Sequence, residues 1–146
     1  MSRLWMAVLL AGFSQLSSAA TISYSALQGR WRVEGVQVDN SGIQAVVVND
    51  PQYMGAEVTF FPRKIIWTKG TKERAIDPVM DNCTSPPTLT PADRNDPEKG
   101  YQVPDGFNVL CGKQPWGPGA VVTVPTNNTM TLYWYDGAIL AMKKTG

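Results

Sequence analysis

From residue 26 onward the apolar positions come in short β-branched or aromatic runs, each closed off by Gly, Pro, Asn or Asp, and no stretch sustains a helical period. Leu27 to Val38 alternates, with Trp31 and Val33 on one face. Val36 and Val38 continue the alternation out of phase by one, which predicts a β-bulge at Gly35. "DNSG", Asp39 to Gly42, predicts a turn, Ile43 to Val48 a second strand, and "NDP", Asn49 to Pro51, another turn.

Two hairpins follow by register. With Pro62 and Arg63 as the turn, Phe60 faces Ile65 and Val58 faces Trp67, while Glu57 and Thr59 point away with Ile66 and Thr68. Asp136-Gly137 is the dipeptide of a type I′ turn. It predicts Trp134 opposite Ile139, Leu132 opposite Ala141 and Met130 opposite Lys143, a ribbon apolar on both faces. Between the hairpins, Asp81 to Pro104 is rich in Pro, Asp and Asn and reads as one long loop. Further strands are expected near Gly106 to Cys111 and Ala120 to Val124. Seven or eight short strands at this spacing predict an all-β sandwich or a small antiparallel up-and-down β-barrel. The barrel is preferred because closure removes sticky edges from a chain rich in Val and Trp.

Residues 1–20 have the order of a secretory signal peptide: Arg3, an apolar run from Leu4 to Phe13, and a small-residue cleavage site at Ser17 to Ala20. That run of about ten residues is too short to span a bilayer, which needs roughly 20. Leu10-Ala11-Gly12 is followed by Phe13 rather than cysteine, so no lipoprotein anchor is expected. The expected product is one domain over 21–146, periplasmic or secreted. Without Arg3 its basic and acidic residues balance at twelve each. No field of one sign then favours nucleic acid or an anionic membrane.

Cys83 and Cys111, in a chain bound for an oxidising compartment, predict a disulfide. Its loop of about 29 residues contributes roughly 3–4 kcal/mol in the loop-entropy model. The absence of histidine excludes Ser-His and Cys-His nucleophiles and leaves zinc or copper without suitable ligands. The carboxylates show no convergent pair: Asp50, Asp81, Asp105 and Asp136 fall in turns, Glu57 points outward, and Glu34 lies outward beside Arg32. "DRNDPEKG", Asp93 to Gly100, lacks the glycine and terminal Glu spacing of a calcium loop. No cofactor and no catalysis are expected. Asn82 and Asn127 occupy N-x-Thr sequons, relevant only in a eukaryotic secretory pathway. Tyr53, Tyr101 and Trp116 are the loop aromatics.

"LQGRW", Leu27 to Trp31, resembles the Gly-x-Trp motif of lipocalins and their calycin relatives. The resemblance implies a small barrel in which Gly29 turns the chain into the first strand and Trp31 plugs one end. A basic residue from the last strand then lies over the indole. Lys143 and Lys144 are both placed for that role, and Lys143 is preferred because it shares a face with Trp134 in the register above; the family's usual residue is arginine. "IIWTKG", Ile65 to Gly70, is similar to the Trp-Thr-Lys-Gly signature of periplasmic inhibitors of C-type lysozyme, also small barrels. That similarity implies Lys69 as a residue reaching into an acidic cleft. The companion Ser-Gly loop has no clear counterpart, since Ser41-Gly42 lies on the wrong side of the expected neighbours.

Two functional classes follow. One is a protein-binding module, a hydrolase inhibitor or immunity-type partner, with Arg63, Lys69 and Trp116 as contact residues. The other is a carrier of a small apolar ligand inside the barrel. Inward Trp31, Phe60, Trp67 and Trp134 would fill an eight-stranded interior, which favours the first.

Overall fold

The strand β1, Gly29–Val38, runs unbroken because its β-favouring residues alternate without Pro, Asn or Asp until Asp39. In the computed structural model, residues 22–39, 42, 45–70, 76–92 and 105–146 are described. A turn of 3₁₀ helix, Tyr24–Leu27, precedes β1. After it come β2 (Glu57–Phe61), β3 (Lys64–Lys69), the one-turn helix α1 (Pro78–Asp81) and β4 (Pro87–Pro91). The chain ends with β5 (Phe107–Cys111), β6 (Gln114–Pro115), β7 (Val121–Val122), β8 (Thr129–Tyr133) and β9 (Ala138–Lys144). The signal-peptide segment and the Asp93 to Gly100 stretch lie outside the described residues.

All strand pairs are antiparallel, and the ladder runs β3-β2-β1-β9-β8-β7-β5-β4, with the two-residue β6 pairing the end of β5 beyond β7. Sequence neighbours are spatial neighbours, and the first strand pairs with the last. This is the up-and-down order of a small barrel, curled here into a strongly curved half-barrel. The sequential pairs missing from the ladder are β6 with β7, which both pair β5, and β3 with β4, which leaves a seam.

Cys83 spans that seam. Its backbone exchanges two hydrogen bonds with Ile65 of β3, at 2.8 and 2.7 Å, and its sulfur is bonded to Cys111 at the end of β5. The preceding residues are tied across the same junction: the Trp67 amide donates to Asn82 Oδ1 at 2.7 Å, and the Trp116 indole donates to the Asp81 carbonyl at 2.7 Å. The disulfide and the Ile65–Cys83 bridge therefore tie edge strand β3 to β5, the strand beside the other edge, across the seam.

The β2–β3 hairpin has the expected register, Phe60 opposite Ile65 and Val58 opposite Trp67. A shift beside Val58 places Glu57 opposite Lys69. In β1 the register with β9 slips between Val33 and Gly35, so the extra residue is Glu34. The bulge reverses the alternation, and Trp31, Val33 and Val36 all face the core. Gly35 suits the site because a Cβ there would already touch the Ala141 methyl at 3.4 Å.

Three expectations are corrected. The described part of Ile43 to Val48 is not a strand. Asp50 draws it into a turn, its carboxylate accepting from the Val47 amide at 3.1 Å and the Gln52 amide at 2.9 Å, while Asn49 is left-handed at φ 50°. Asp81 to Pro104 is not all loop. It contains β4, whose terminal prolines restrict it to the sheet edge it occupies. Thirdly, the β8–β9 register differs by one residue. The connection is three residues, Tyr135–Gly137, with Asp136 at φ 56° and Gly137 at φ 76°, and the Trp134 amide donates to the Ala138 carbonyl at 2.9 Å. Leu132 consequently faces Leu140, and Met130 faces Met142. With Trp134 and Ala138 they give the ribbon one wholly apolar, buried face.

Candidate binding surface

The half-barrel has two dissimilar ends. At the first, Trp31 is buried to 1 % exposure and its indole donates to the Leu27 carbonyl at 2.8 Å, so the preceding 3₁₀ turn holds the ring in place. Gly29 sits at φ 124°, and a Cβ there would meet the Gly146 carbonyl at 2.5 Å and Lys144 Cε at 2.7 Å. The Tyr24 hydroxyl donates to the Phe61 carbonyl at 2.6 Å and binds the same 3₁₀ turn to the β2–β3 hairpin. The cation over the indole is Lys144, whose Nζ lies 6.0 Å from the ring centroid; it is not Lys143. The cause is the corrected register. Lys143 stands opposite Arg32 and Thr129 on the outer face, whereas Lys144 stands opposite Trp31.

The interior between the ends is filled by aromatic rings. Trp116 lies 4.9 Å from Trp134 and 6.3 Å from Trp67, which in turn meets Trp134 edge-to-face at 5.3 Å; Phe60 abuts Trp116 at 5.7 Å. The buried indole N–H groups of Trp67 and Trp134 have no hydrogen-bond acceptor, and the two rings pack edge-to-face. Trp116 is thus a core residue at 1 % exposure and no part of a contact surface. The turn "PWGPGA" puts it there, because Gly117 and Gly119 adopt φ 55° and 91° and return the chain over the ring. The backbone at Gly117 lies so close that a Cβ would meet Trp134 at 2.7 Å. The two left-handed glycines that follow Trp116 are the signal in the sequence for this inward ring.

The second, open end is built, among the described residues, by the segment 45–56 after β1, by α1 with its cap Asp77, and by the Tyr135–Gly137 turn. The segment 49–56 folds back along β1: the Asn49 amide donates to the Val36 carbonyl at 2.8 Å, its side chain accepts from the Val36 amide at 3.1 Å, and the Gly55 amide donates to the Val33 carbonyl at 3.0 Å. This brings Tyr53, itself buried, under the rim. Burial pushes its hydroxyl up to about 12, helped by the charges of Asp136, Asp50 and Asp81. Those three carboxylates come from three separate segments and converge on one ring.

Asp50 and Asp81 are both buried, at 4 % and 3 % exposure. Burial raises the Asp81 carboxyl above its ordinary value, opposed by hydrogen bonds from the Asp77 amide, at 2.7 Å, and from Tyr135. In turn Asp77 caps α1, its side chain accepting from the Val79 amide at 3.0 Å. The large apolar side chains exposed among the described residues all lie on these rim segments: Val47 and Val48 beside Asp50, and Val79 and Met80 in α1, exposed to 57, 58, 91 and 71 %. No three His, Cys, Asp or Glu side chains gather as a metal ion would need among the described residues.

The structure separates the residues expected to form one contact surface. Lys69 belongs to the open end, opposite Glu57, whereas Arg63 is exposed at the hairpin tip beside the Trp31 end. The length of β3 puts about 20 Å between them at ~3.3 Å per residue. Of the remaining loop aromatics, Tyr53 is buried and Tyr101 lies outside the described residues. The valines and the methionine of the rim escaped notice in the sequence because Val46 to Val48 carry the pattern of a strand. No helix among the described residues is long and apolar enough to cross a membrane. Compared with protein-family models, with curated proteins and with solved structures, the chain matches none of them.

Proposed function

We propose that the mature chain is an exported, non-enzymatic binding protein that grips a protein partner through the loops at the open end of its half-barrel. The observation that carries this reading is the exposure of Val47, Val48, Val79 and Met80 on two segments of the open end, while the other large apolar side chains among the described residues are at least partly covered. Monomeric domains seldom expose apolar residues in such groups unless something binds there. The scaffold suits a gripping role. The disulfide, the Ile65–Cys83 bridge and the indole cluster hold it rigid, so little ordering entropy is lost on binding.

The signal-like residues 1–20 and the disulfide support a periplasmic or secreted setting. A hydrolase-inhibitor or immunity-type role fits that setting, and Lys69 at the rim keeps a C-type lysozyme as a specific partner to test. A ring-filled interior supports gripping from outside over carriage of a small apolar molecule within. Two surface grooves of about 280 and 370 Å³ flank the sheet, and neither is lined by an indole.

Cell-wall lysis by a C-type lysozyme, measured with and without the protein, tests the specific partner. Inhibition that is lost in Lys69→Ala supports it, and an unchanged rate in both cases removes it. An environment-sensitive apolar dye tests the rival class: tight, saturable binding in the folded protein would favour a ligand carrier.

A further inference from the structure

We infer that the open end seats a cationic loop of a partner protein, one in which Lys or Arg is flanked by apolar side chains; the inference rests on the protein-binding reading above. Its basis is the coincidence of two features on the same rim. Apolar contact area comes from Val47, Val48, Val79 and Met80, and negative charge comes from Asp39, Asp50, Asp77, Asp81 and Asp136. The segments carrying them are mutually fixed. The Asp39 amide donates to the Gly137 carbonyl at 2.9 Å, Asp81 bonds to Tyr135, and Tyr53 feels Asp50, Asp81 and Asp136 together. Among the described cations, Lys69 stands across the ladder from Glu57, and Lys113 lies in the turn after Cys111 at the same end of the sheet.

The other end carries the opposite sign, with Arg30, Arg63, Lys64 and Lys144 on the strand ends around Trp31. Among the described residues the two ends therefore differ in the sign of most of their charges. Such a distribution steers a cationic partner toward the apolar rim and turns an acidic one away. The carboxylates of Asp50 and Asp81 are buried and held by backbone amides, so they act only as fixed negative charges behind the surface, while Asp136 is exposed. A loop with apolar side chains beside its basic residue would cover the exposed valines and Met80 while its charge lies over Asp136, the exposed acid of the turn.

The test pans a random peptide-display library on the mature, disulfide-bonded chain and measures the affinity of synthetic copies of the selected peptides. Two variants locate the site: Val79→Ser with Met80→Ser, whose side chains are too exposed to matter for folding, and Asp136→Asn, since asparagine tolerates the left-handed backbone there. Near-ultraviolet spectra verify that both remain folded. The expected result is a pool enriched in Lys or Arg beside Leu, Ile or Phe, with Kd raised about tenfold by the double substitution and severalfold by Asp136→Asn. Affinity should also fall as salt is raised to about 0.5 M. A neutral or acidic pool overturns the assignment of partner chemistry. Peptides that bind the double variant as tightly as the native chain overturn the location but leave the protein-binding reading standing. A library from which the native chain enriches nothing overturns both.

Discussion

Trp116 distinguishes an indole that holds the fold from one that touches a partner, and its replacement has a magnitude that the structure supplies. In Trp116→Ala the ring contacts with Phe60, Trp67 and Trp134 are lost from a position 1 % exposed. Aromatic-to-alanine changes in a core cost about 3–5 kcal/mol. Trp116→Phe retains much of the ring and removes the N–H that donates to the Asp81 carbonyl. Leaving a buried acceptor unpaired costs about 1–3 kcal/mol. Domains of this kind are stable by roughly 5–15 kcal/mol in total, so the alanine variant loses a large share. Urea unfolding followed by far-ultraviolet circular dichroism reads both. With a slope of about 1–3 kcal/mol per molar urea, the alanine midpoint falls by about 2 M and the phenylalanine midpoint by about 1 M. If both variants unfold within about 0.5 kcal/mol of the native chain, as surface substitutions do, the packing argument fails and Trp116 becomes a contact candidate again.

Replacing Cys83 and Cys111 by serine should cost roughly 3–4 kcal/mol from loop entropy alone. Because the bond closes the seam, hydrogen exchange at the Ile65 and Cys83 amides should accelerate more than exchange in the β1–β9 ladder; equal acceleration would refute the seam role. Lys144→Ala should lower stability by about 0.5–1 kcal/mol through loss of its position over Trp31, while Lys143→Ala should change it by less than about 0.5 kcal/mol, both read by thermal unfolding. Tyr53 has a pKa of about 12 in the fold against 10.0 in the open chain, so the unfolded state releases its proton first. The contribution of Tyr53 to stability is therefore intact below pH 10.0 and is lost as pH rises toward about 12. Tyr53→Phe should flatten that decline in unfolding measured across the same interval.

The elements whose pairing depends on local alternation were legible. In the β2–β3 hairpin, Val58, Phe60, Ile65 and Trp67 share a face in only one register, and Gly35 marked the point where β1 needs an extra residue. Asp136-Gly137 was legible as a turn but not in its length. A two-residue connection scatters the apolar residues of β8 and β9 over both faces, whereas the three-residue one gathers Met130, Leu132, Trp134, Leu140 and Met142 on a single buried face. One residue of loop length thus exchanged Lys143 for Lys144 over Trp31. In the candidate surface, Lys69 was singled out from its local motif. Val47, Val48, Val79 and Met80 were not, since nothing in a short run of apolar residues tells a strand from a rim.

Taken alone, the chain determined that it would be all β, that an inward tryptophan would follow Gly29, and that Cys83 and Cys111 would pair. These depend on two-residue periodicity, turn chemistry and the scarcity of alternatives, all of which act over short distances or by composition. Tertiary structure alone decided that the disulfide closes the β3–β4 seam, that Trp116 turns into the core, and that the carboxylates of separate segments surround Tyr53. The physical reason is that each requires segments remote in sequence to meet. Curvature of the sheet brings them together, and no single segment encodes that curvature.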